Sequence, residues 1–275
     1  MTDAWPTVPA PVMAGIQRRW PDRAQPWANA VLDELRSLCA KYDATPRTVM
    51  PARFSLVVAA DTPHGPIVLR SSPDSDGPRQ AQVAAALAKI GVSPTIHEAT
   101  TNGTGTWMLL DEVQPGTPLG DTNPAEVTLE SLAAPLAAIA SNTELATGLP
   151  HISDWLRHRL EDEHLTEVAP RTGIAPAKQR REALQTLDDL TRNARSSLCH
   201  GDTSPWNFLA DRTSGWMLID PRGVSGEVEY DLAILAMKIA ACDAREAVVM
   251  RLTRTCGADS SRTRAWTVVA EAARV

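Results

Sequence analysis

The sequence predicts an α+β fold in which a small β-rich lobe is followed by a larger, mainly helical lobe. Two β-rich runs, FSLVVAA and GPIVLR, lie in the first part of the chain, whereas helical patterns dominate after residue 124. Between these parts, residues 114–124 (QPGTPLGDTNP) carry the Pro and Gly that interrupt regular structure. We therefore assign residues 1–113 to an N-terminal lobe and residues 114–275 to a C-terminal lobe.

The N-terminal lobe is predicted to begin with an irregular arm, because its first 26 residues are rich in Pro and Trp. Apolar residues at helical spacing then predict a helix over residues 27–42. The two β-rich runs, separated by the turn-forming DTPHG, predict a hairpin. An Ala-rich helix over residues 79–91 and a strand in GTWMLLDEV complete the predicted lobe.

The C-terminal lobe is predicted to be built from helices. Helical patterns cover residues of about 125–141, 152–164 and 178–194, and extend from residue 230 to the C-terminus. Only WNFLAD and GWMLID, joined by RTSG, are typical of extended structure in this half.

The composition excludes several classes of protein. A formal net charge of -6 argues against a general nucleic-acid binder, which needs an excess of Lys and Arg, and favours a neutral or cationic small molecule. The four cysteines form no CxxC pair and indicate neither a zinc site nor a disulfide framework. The sequence shows no pattern of an export signal or a membrane span, so we expect a cytoplasmic protein without membrane contact.

The segment LCHGDTSPWNFL concentrates the residues that can carry chemistry. Asp202 precedes Asn207 by five positions, and Asp220 follows thirteen positions later, just beyond the apolar run WMLI. In kinase-type phosphoryl transfer, one Asp accepts the proton of the acceptor hydroxyl while an Asn and a second Asp hold Mg²⁺. The alternative is that these residues are ordinary turn formers and that Asp220 caps a strand. The combined spacing favours the kinase interpretation.

Three stretches resemble the aminoglycoside phosphotransferases: HGDTSPWNFL, GWMLIDPRGVSGEVEYDLA and WMLLDEVQPGTPL. The IDPRG segment followed by GEVEYDLA is most similar to the branch of streptomycin 6-kinases and hydroxyurea or antibiotic resistance kinases. This resemblance runs from about Phe54 to the end of the chain. It implies a protein-kinase-like fold with two lobes.

The resemblance also implies roles for individual residues. Asp202 corresponds to the catalytic base, and Asn207 and Asp220 correspond to the magnesium ligands. His200 and Asp231 correspond to residues that support the catalytic loop. Residues 109–113 resemble the hinge, so that the backbone of Asp111 and Val113 would bind the adenine edge; the alternative is a core strand without that role.

The N-terminal lobe departs from the family pattern at the phosphate-binding position. Arg70 stands where the family has a lysine, and a planar guanidinium is not equivalent to a compact ammonium group. The following helix, RQAQVAAALAKIG, contains no acidic residue to hold that cation; Gln80 or Gln82 lies at the corresponding place. TVMPARFS precedes the first hairpin strand in place of a glycine-rich loop.

The acceptor is expected beside the catalytic loop, and Asp154, Arg222 and Glu227 are the candidate residues that contact it. We expect an enzyme that uses Mg²⁺ and ATP or GTP to phosphorylate a hydroxyl of an aminoglycoside or related aminosugar-containing compound, as a resistance or tailoring reaction. Two alternatives stay open: a metabolic sugar or amino-sugar kinase, and a catalytically silent kinase-fold protein that only binds its ligand.

Overall fold

The computed structural model describes residues 5–142, 148–165 and 173–275. The chain divides into two compact units: Met1–Ala81 with Pro94–Val113, and Gln82–Ser93 with Gln114–Val275. The first unit contains an antiparallel sheet and the second is mainly helical, which confirms the predicted α+β class. Residues 82–93 differ from the predicted lobe assignment, because Val83, Leu87 and Val92 pack in a hydrophobic cluster of the second unit.

The expected irregular arm is wrong for the described residues of this segment. Helix α1 spans Ala10–Arg19 and helix α2 spans Pro21–Tyr42. Pro11 is the second residue of α1, and Pro21 is the first residue of α2. Proline is tolerated there because the amide N–H of the first turn has no partner within the helix.

The sheet of the first unit has the strand order β1-β2-β3-β5-β4, and all neighbouring strands are antiparallel. The strands are β1 (Thr45–Val49), β2 (Leu56–Thr62), β3 (Gly65–Ser72), β4 (Ile96–Thr101) and β5 (Thr106–Asp111). The predicted hairpin is β2 and β3, and the predicted strand is β5. The buried residues of α2, including Trp27, pack with those of the sheet, and the Trp27 indole N–H donates to Ser71 Oγ at 2.9 Å.

Helix α3 (Gly77–Lys89) corresponds to the predicted Ala-rich helix, and its residues fall on both sides of the division between the units.

The second unit carries six further helices among the described residues. They are α4 (Leu129–Ser141), α5 (Ile152–Glu161), α6 (Ala177–Thr191), α7 (Val228–Ile239), α8 (Arg245–Cys256) and α9 (Ser260–Ala272). Helix α7 is buried from Val228 to Ala236. Its residues contribute to both hydrophobic clusters of this unit, Leu232 and Leu235 to one and Tyr230 and Ile234 to the other.

Short strands of the second unit border the loops that contain Asp202, Asn207 and Asp220. They are β6 (Pro115–Pro118), β7 (Ser197–Leu198), β8 (Phe208–Asp211), β9 (Gly215–Leu218) and β10 (Ser225–Gly226). Strands β6, β8 and β9 form one sheet, and β7 pairs with β10. The predicted extended pair is the β8–β9 hairpin. Across the ranges that the structure describes, no helix combines the length and the apolar character that crossing a membrane requires.

Candidate active site

The loop after β7 is held by the buried carboxylate of Asp231, in the first turn of α7. The backbone N–H groups of His200 and Gly201 each donate to one Asp231 oxygen at 2.8 Å. The Thr203 hydroxyl donates to the Asp231 carbonyl at 2.6 Å. Burial raises the pKa of the Asp231 carboxyl, whereas nearby His200 and the two backbone N–H groups act in the opposite direction. These bonds fix the backbone on both sides of Asp202.

His200 links this loop to the segment that leads to Asp220. Its buried ring accepts the N–H of Asp202 at Nδ1 (3.3 Å), and its Nε2 lies 2.9 Å from the carbonyl of Ile219. With Nδ1 accepting, Nε2 is the nitrogen that donates to the Ile219 carbonyl. Backbone bonds from Arg222 N to His200 O (2.9 Å) and from Ile219 N to Asn207 O (3.0 Å) reinforce the link.

Asn207 is attached directly to the loop that carries Asp202. Its side-chain Nδ2 donates to the Asp202 carbonyl at 2.8 Å. Because the nitrogen of the amide is used in this way, its Oδ1 is the atom suited to bind a cation.

Asp220 is exposed, follows β9 and has a φ of 57°, in the left-handed region. That conformation is uncommon for residues other than glycine, although Asp and Asn adopt it more readily, and it recurs at functional sites. An amide oxygen and a carboxylate are hard donors of the type Mg²⁺ uses, and its sites are commonly completed by water and substrate phosphates. The donor set of Asn207 and Asp220 therefore fits Mg²⁺ chemically.

Arg222, predicted to contact the acceptor, contacts the predicted base. Its Nη2 lies 3.3 Å from Asp202 Oδ2, and its Nε donates to the Gly201 carbonyl at 3.2 Å. The guanidinium carbon lies over the Trp155 ring, 4.0 Å from the centroid. Asp154, the residue before Trp155, is exposed in the first turn of α5.

The position of Glu227 argues against its predicted role in acceptor binding. Its side chain is buried, and its oxygens accept from Arg262, the Trp266 indole and the Arg195 backbone N–H. Burial favours the neutral acid, but hydrogen bonds, led by those from Arg262, outweigh it and hold the pKa of Glu227 below its ordinary value. The expectation that Glu227 contacts the acceptor is corrected: it joins the segment after α6 and the start of α7 to α9 in the interior.

Arg70 lies on β3 in the first unit. Its Nη2 is 3.5 Å from Gln80 Oε1, and Gln80 Nε2 donates to Asp74 Oδ2 at 2.9 Å. The carboxylate in this array therefore comes from the turn before α3 and reaches Arg70 through Gln80. Sequence reasoning searched the helix for this acid and missed Asp74.

The predicted hinge follows β5. Asp111, the last residue of β5, donates its N–H to the Thr95 carbonyl at 3.0 Å, and its carboxylate lies 2.6 Å from His97 Nε2. Glu112 donates its N–H to Pro66 O at 3.1 Å on the β3 side. Val113 is the last residue of the first unit.

Sequence reasoning also missed Thr203 as a support of the loop, and it considered Trp155 only as a neighbour of the acceptor. Thr203 directly follows Asp202, and its position beside a predicted turn gave a weak signal for a backbone-binding hydroxyl. The contact of Trp155 with Arg222 gave no signal, because it joins residues 67 positions apart.

A β-rich unit and a helical unit, the latter with a braced Asp–Asn loop, define the class of kinase-fold phosphotransferases. Residues 51–266 match the model of the phosphotransferase enzyme family (APH). The chain belongs to this family, which makes it a phosphotransferase with a hydroxyl group as acceptor.

Solved structures support the fold. An aminoglycoside-3'-phosphotransferase of type VIII is 18% identical, with a TM-score of 0.63 over 87% of this chain and 97% of that one. The aminoglycoside phosphotransferase APH(3'')-Id from Streptomyces rimosus, in complex with ADP and streptomycin, is 16% identical, with a TM-score of 0.59 over 90% and 99%. Spectinomycin phosphotransferase APH(9)-Ia, in complex with ADP and spectinomycin, is 13% identical, with a TM-score of 0.57 over 88% and 86%. No curated protein matches the sequence.

Proposed function

We propose that this protein is an ATP-dependent kinase that phosphorylates a hydroxyl of an aminoglycoside or a related aminosugar-containing compound. The observation that carries the proposal is the Asn207 amide bonded to the Asp202 carbonyl on a loop that Asp231 holds. This arrangement fixes a carboxylate and a cation-binding oxygen relative to each other before any ligand binds. Such fixed positioning supplies much of the rate in phosphoryl transfer.

In the proposed reaction, the acceptor oxygen attacks the γ-phosphorus of the nucleotide and the bond from that phosphorus to the β–γ bridging oxygen breaks. Asp202 takes the hydroxyl proton, and the nucleoside diphosphate leaves with the bridging oxygen. When bound, Mg²⁺ would neutralise charge on the phosphates, and Asn207 Oδ1 and the Asp220 carboxylate would hold it. His200 and Asp231 keep the loop in place and take no part in proton transfer.

We assign nucleotide contacts to the first unit. Arg70 supplies a cation for the phosphates, held by Gln80 and Asp74. In an extended chain, alternate residues direct their N–H and C=O groups to the same side. Glu112 directs its N–H toward β3. The carbonyl of Asp111 and the N–H of Val113 would therefore lie on the opposite side, where they would bind the adenine edge.

Two features bear on the acceptor. The structural neighbours include complexes with streptomycin and with spectinomycin. The net charge of -6 and the exposed carboxylate of Asp154 suit a molecule that carries amino groups. The IDPRG–GEVEYDLA sequence favours the branch of streptomycin 6-kinases and hydroxyurea or antibiotic resistance kinases, so we place streptomycin first among the candidates.

The test is acceptor-dependent release of ADP or GDP in the presence of Mg²⁺, with aminoglycosides, amino sugars and simple sugars as acceptors. Asp202→Ala is the blank, and removal of Mg²⁺ by EDTA is the second control. We expect turnover with an aminoglycoside and ATP that both controls abolish. Turnover with simple amino sugars alone would favour a metabolic kinase. Nucleotide binding without turnover on any acceptor would favour the silent binding protein.

A further inference from the structure

A stack of charged and aromatic side chains connects the C-terminal end of the described chain to Asp202. Arg159 of α5 is buried and donates to the carbonyls of Ala273 (Nε, 2.9 Å) and Arg274 (Nη2, 3.0 Å), which follow α9. Its guanidinium carbon lies 4.8 Å from the centroid of the Trp155 ring. Arg222 lies over the same ring at 4.0 Å and reaches Asp202 with its outer nitrogen.

We infer that Trp155 is a positioning residue for phosphoryl transfer, acting on Asp202 through Arg222. This inference rests on the proposed role of Asp202. Trp155 need not touch substrate: its ring supports the plane of the Arg222 guanidinium, and that plane sets the direction of the bond to Asp202.

The geometry explains why Arg222 needs such support. An arginine side chain has many rotamers, and holding one of them costs conformational entropy. The Arg222 side chain is 22% exposed and that of Asp202 is 34% exposed, so water competes for this ion pair and attraction alone fixes it weakly. Stacking on an aromatic face and an Nε bond to the Gly201 carbonyl remove that freedom.

Steady-state kinetics distinguish this inference from an acceptor-binding role for Arg222. Two groups of the guanidinium are already used within the loop, Nε on Gly201 and Nη2 on Asp202. A substrate contact would use the three remaining N–H groups of the guanidinium, so kinetics must separate the two roles. A positioning role predicts a change in kcat, because a displaced base slows the chemical step, whereas an acceptor contact predicts a change in the acceptor KM.

The first test is steady-state kinetics of Trp155→Leu, Trp155→Phe and Arg222→Lys. We expect kcat to fall roughly 10- to 100-fold in Trp155→Leu, the order of loss that misplaced catalytic groups produce. The acceptor and nucleotide KM should stay within about twofold, since uniform binding is untouched. Trp155→Phe, which keeps an aromatic face, should restore most of the rate, and Arg222→Lys should not, because an ammonium lacks the planar fork.

The matched control is Arg157→Gln on the same helix. Arg157 pairs with Asp188 at 2.5 Å and with Glu161 at 3.9 Å, away from the stack. The Arg157→Gln variant should have a kcat within about twofold of the wild-type value, because an exposed ion pair contributes little. An unchanged kcat in Trp155→Leu, or a raised acceptor KM with kcat retained, would overturn the inference.

A second test does not need turnover, so it separates this inference from the proposed function. The free energies of unfolding in urea are measured for Trp155→Leu, Asp202→Ala and the double variant, in the free protein. If the ring acts through Arg222 on Asp202, Trp155→Leu should cost less stability once Asp202 is removed. The same cycle with Arg157→Gln should be additive. Additive free energies of unfolding in the Trp155 cycle would contradict the inference, even if the enzyme proves inactive on every acceptor tried.

Discussion

Asp231 Oδ1 accepts the backbone N–H of Gly201 at 2.8 Å, across 30 positions of sequence, and both residues are buried. The second oxygen of the same carboxylate accepts the N–H of His200. One side chain on a buried helix therefore satisfies two backbone donors beside the proposed base. Such bidentate acceptance costs the carboxylate its hydration but leaves neither N–H unpaired in the interior.

Replacing Asp231 should damage stability as well as activity. Asp231→Ala leaves the two N–H groups without this partner, and each unsatisfied buried donor costs about 1–3 kcal/mol. We expect a loss of at least about 2 kcal/mol in the free energy of unfolding in urea, together with loss of turnover. A variant that unfolds as wild type does would show that water or another group replaces the carboxylate.

Gly201 should not tolerate a side chain. Its φ is +81°, and an added Cβ would lie 2.9 Å from Arg222 Cβ and 2.9 Å from Val224 Cγ2. Gly215 is a matched control, because it has the same φ of +81° and nothing within 4 Å of the added Cβ.

We expect Gly215→Ala to cost about 1–2 kcal/mol, the steric price of the left-handed conformation alone. Gly201→Ala should cost more and should lower kcat, because Arg222 and Val224 must move away from the added Cβ. Urea unfolding and acceptor turnover measure the two effects. Equal losses in the two variants would mean that the close contacts are relieved without consequence.

Arg70 should determine nucleotide affinity. Arg70→Ala removes a charge-assisted contact to phosphate worth about 1.5–3 kcal/mol, so the nucleotide Kd should rise roughly 10- to 100-fold. Isothermal titration with a non-hydrolysable ATP analogue measures it, and Arg79→Ala, whose exposed side chain pairs with Asp76, is the control.

The matched exchange Arg70→Lys with Gln80→Glu introduces the lysine and the carboxylate that the family pattern calls for. The single variant Arg70→Lys should bind nucleotide less tightly than the double variant, because the carboxylate introduced by Gln80→Glu is absent from the single variant and cannot orient the ammonium group. If Arg70→Ala binds nucleotide as wild type does, the phosphate contact lies elsewhere in the chain.

Glu98 should give the first unit an acid-sensitive component of stability. Lys41, Tyr42 and Thr100 donate to its carboxylate, and these hydrogen bonds, led by that from Lys41, lower the pKa of Glu98 from 4.5 to about 2. A carboxyl whose pKa falls on folding stabilises the protein above its unfolded pKa. That stabilisation is lost as the pH falls from about 4.5 through about 2.

Glu98→Gln should therefore be less stable than wild type at pH 7, and the two free energies of unfolding should converge near pH 2. Chemical denaturation at several pH values measures the difference. A difference that does not depend on pH would assign the effect of the substitution to packing and not to charge.

The hairpin β2–β3, strand β5 and the β8–β9 hairpin were all predictable, because each is a continuous apolar run bounded by turn residues. The edge strands β1 and β4 were not, because TPRTV and IHEATT are largely polar and half exposed. Pairing with a neighbour defines an edge strand, and that pairing leaves little trace in its own composition. Helix α1 was missed for a related reason: prolines at helix starts look like helix breakers to a local pattern.

The candidate site divides in the same way. The order of His200, Asp202, Asn207 and Asp220 is a local pattern, so the type of chemistry could be predicted from residue types and spacing alone. Which charged side chain faces a substrate could not, because that depends on burial and on distant partners. Glu227 and Arg222 both follow Asp220 and were given the same role. Folding places Glu227 among Arg262, Trp266 and Arg195, and Arg222 against Trp155 and Asp202. A charge buried away from water must find partners, and only the packed chain decides which partners are within reach.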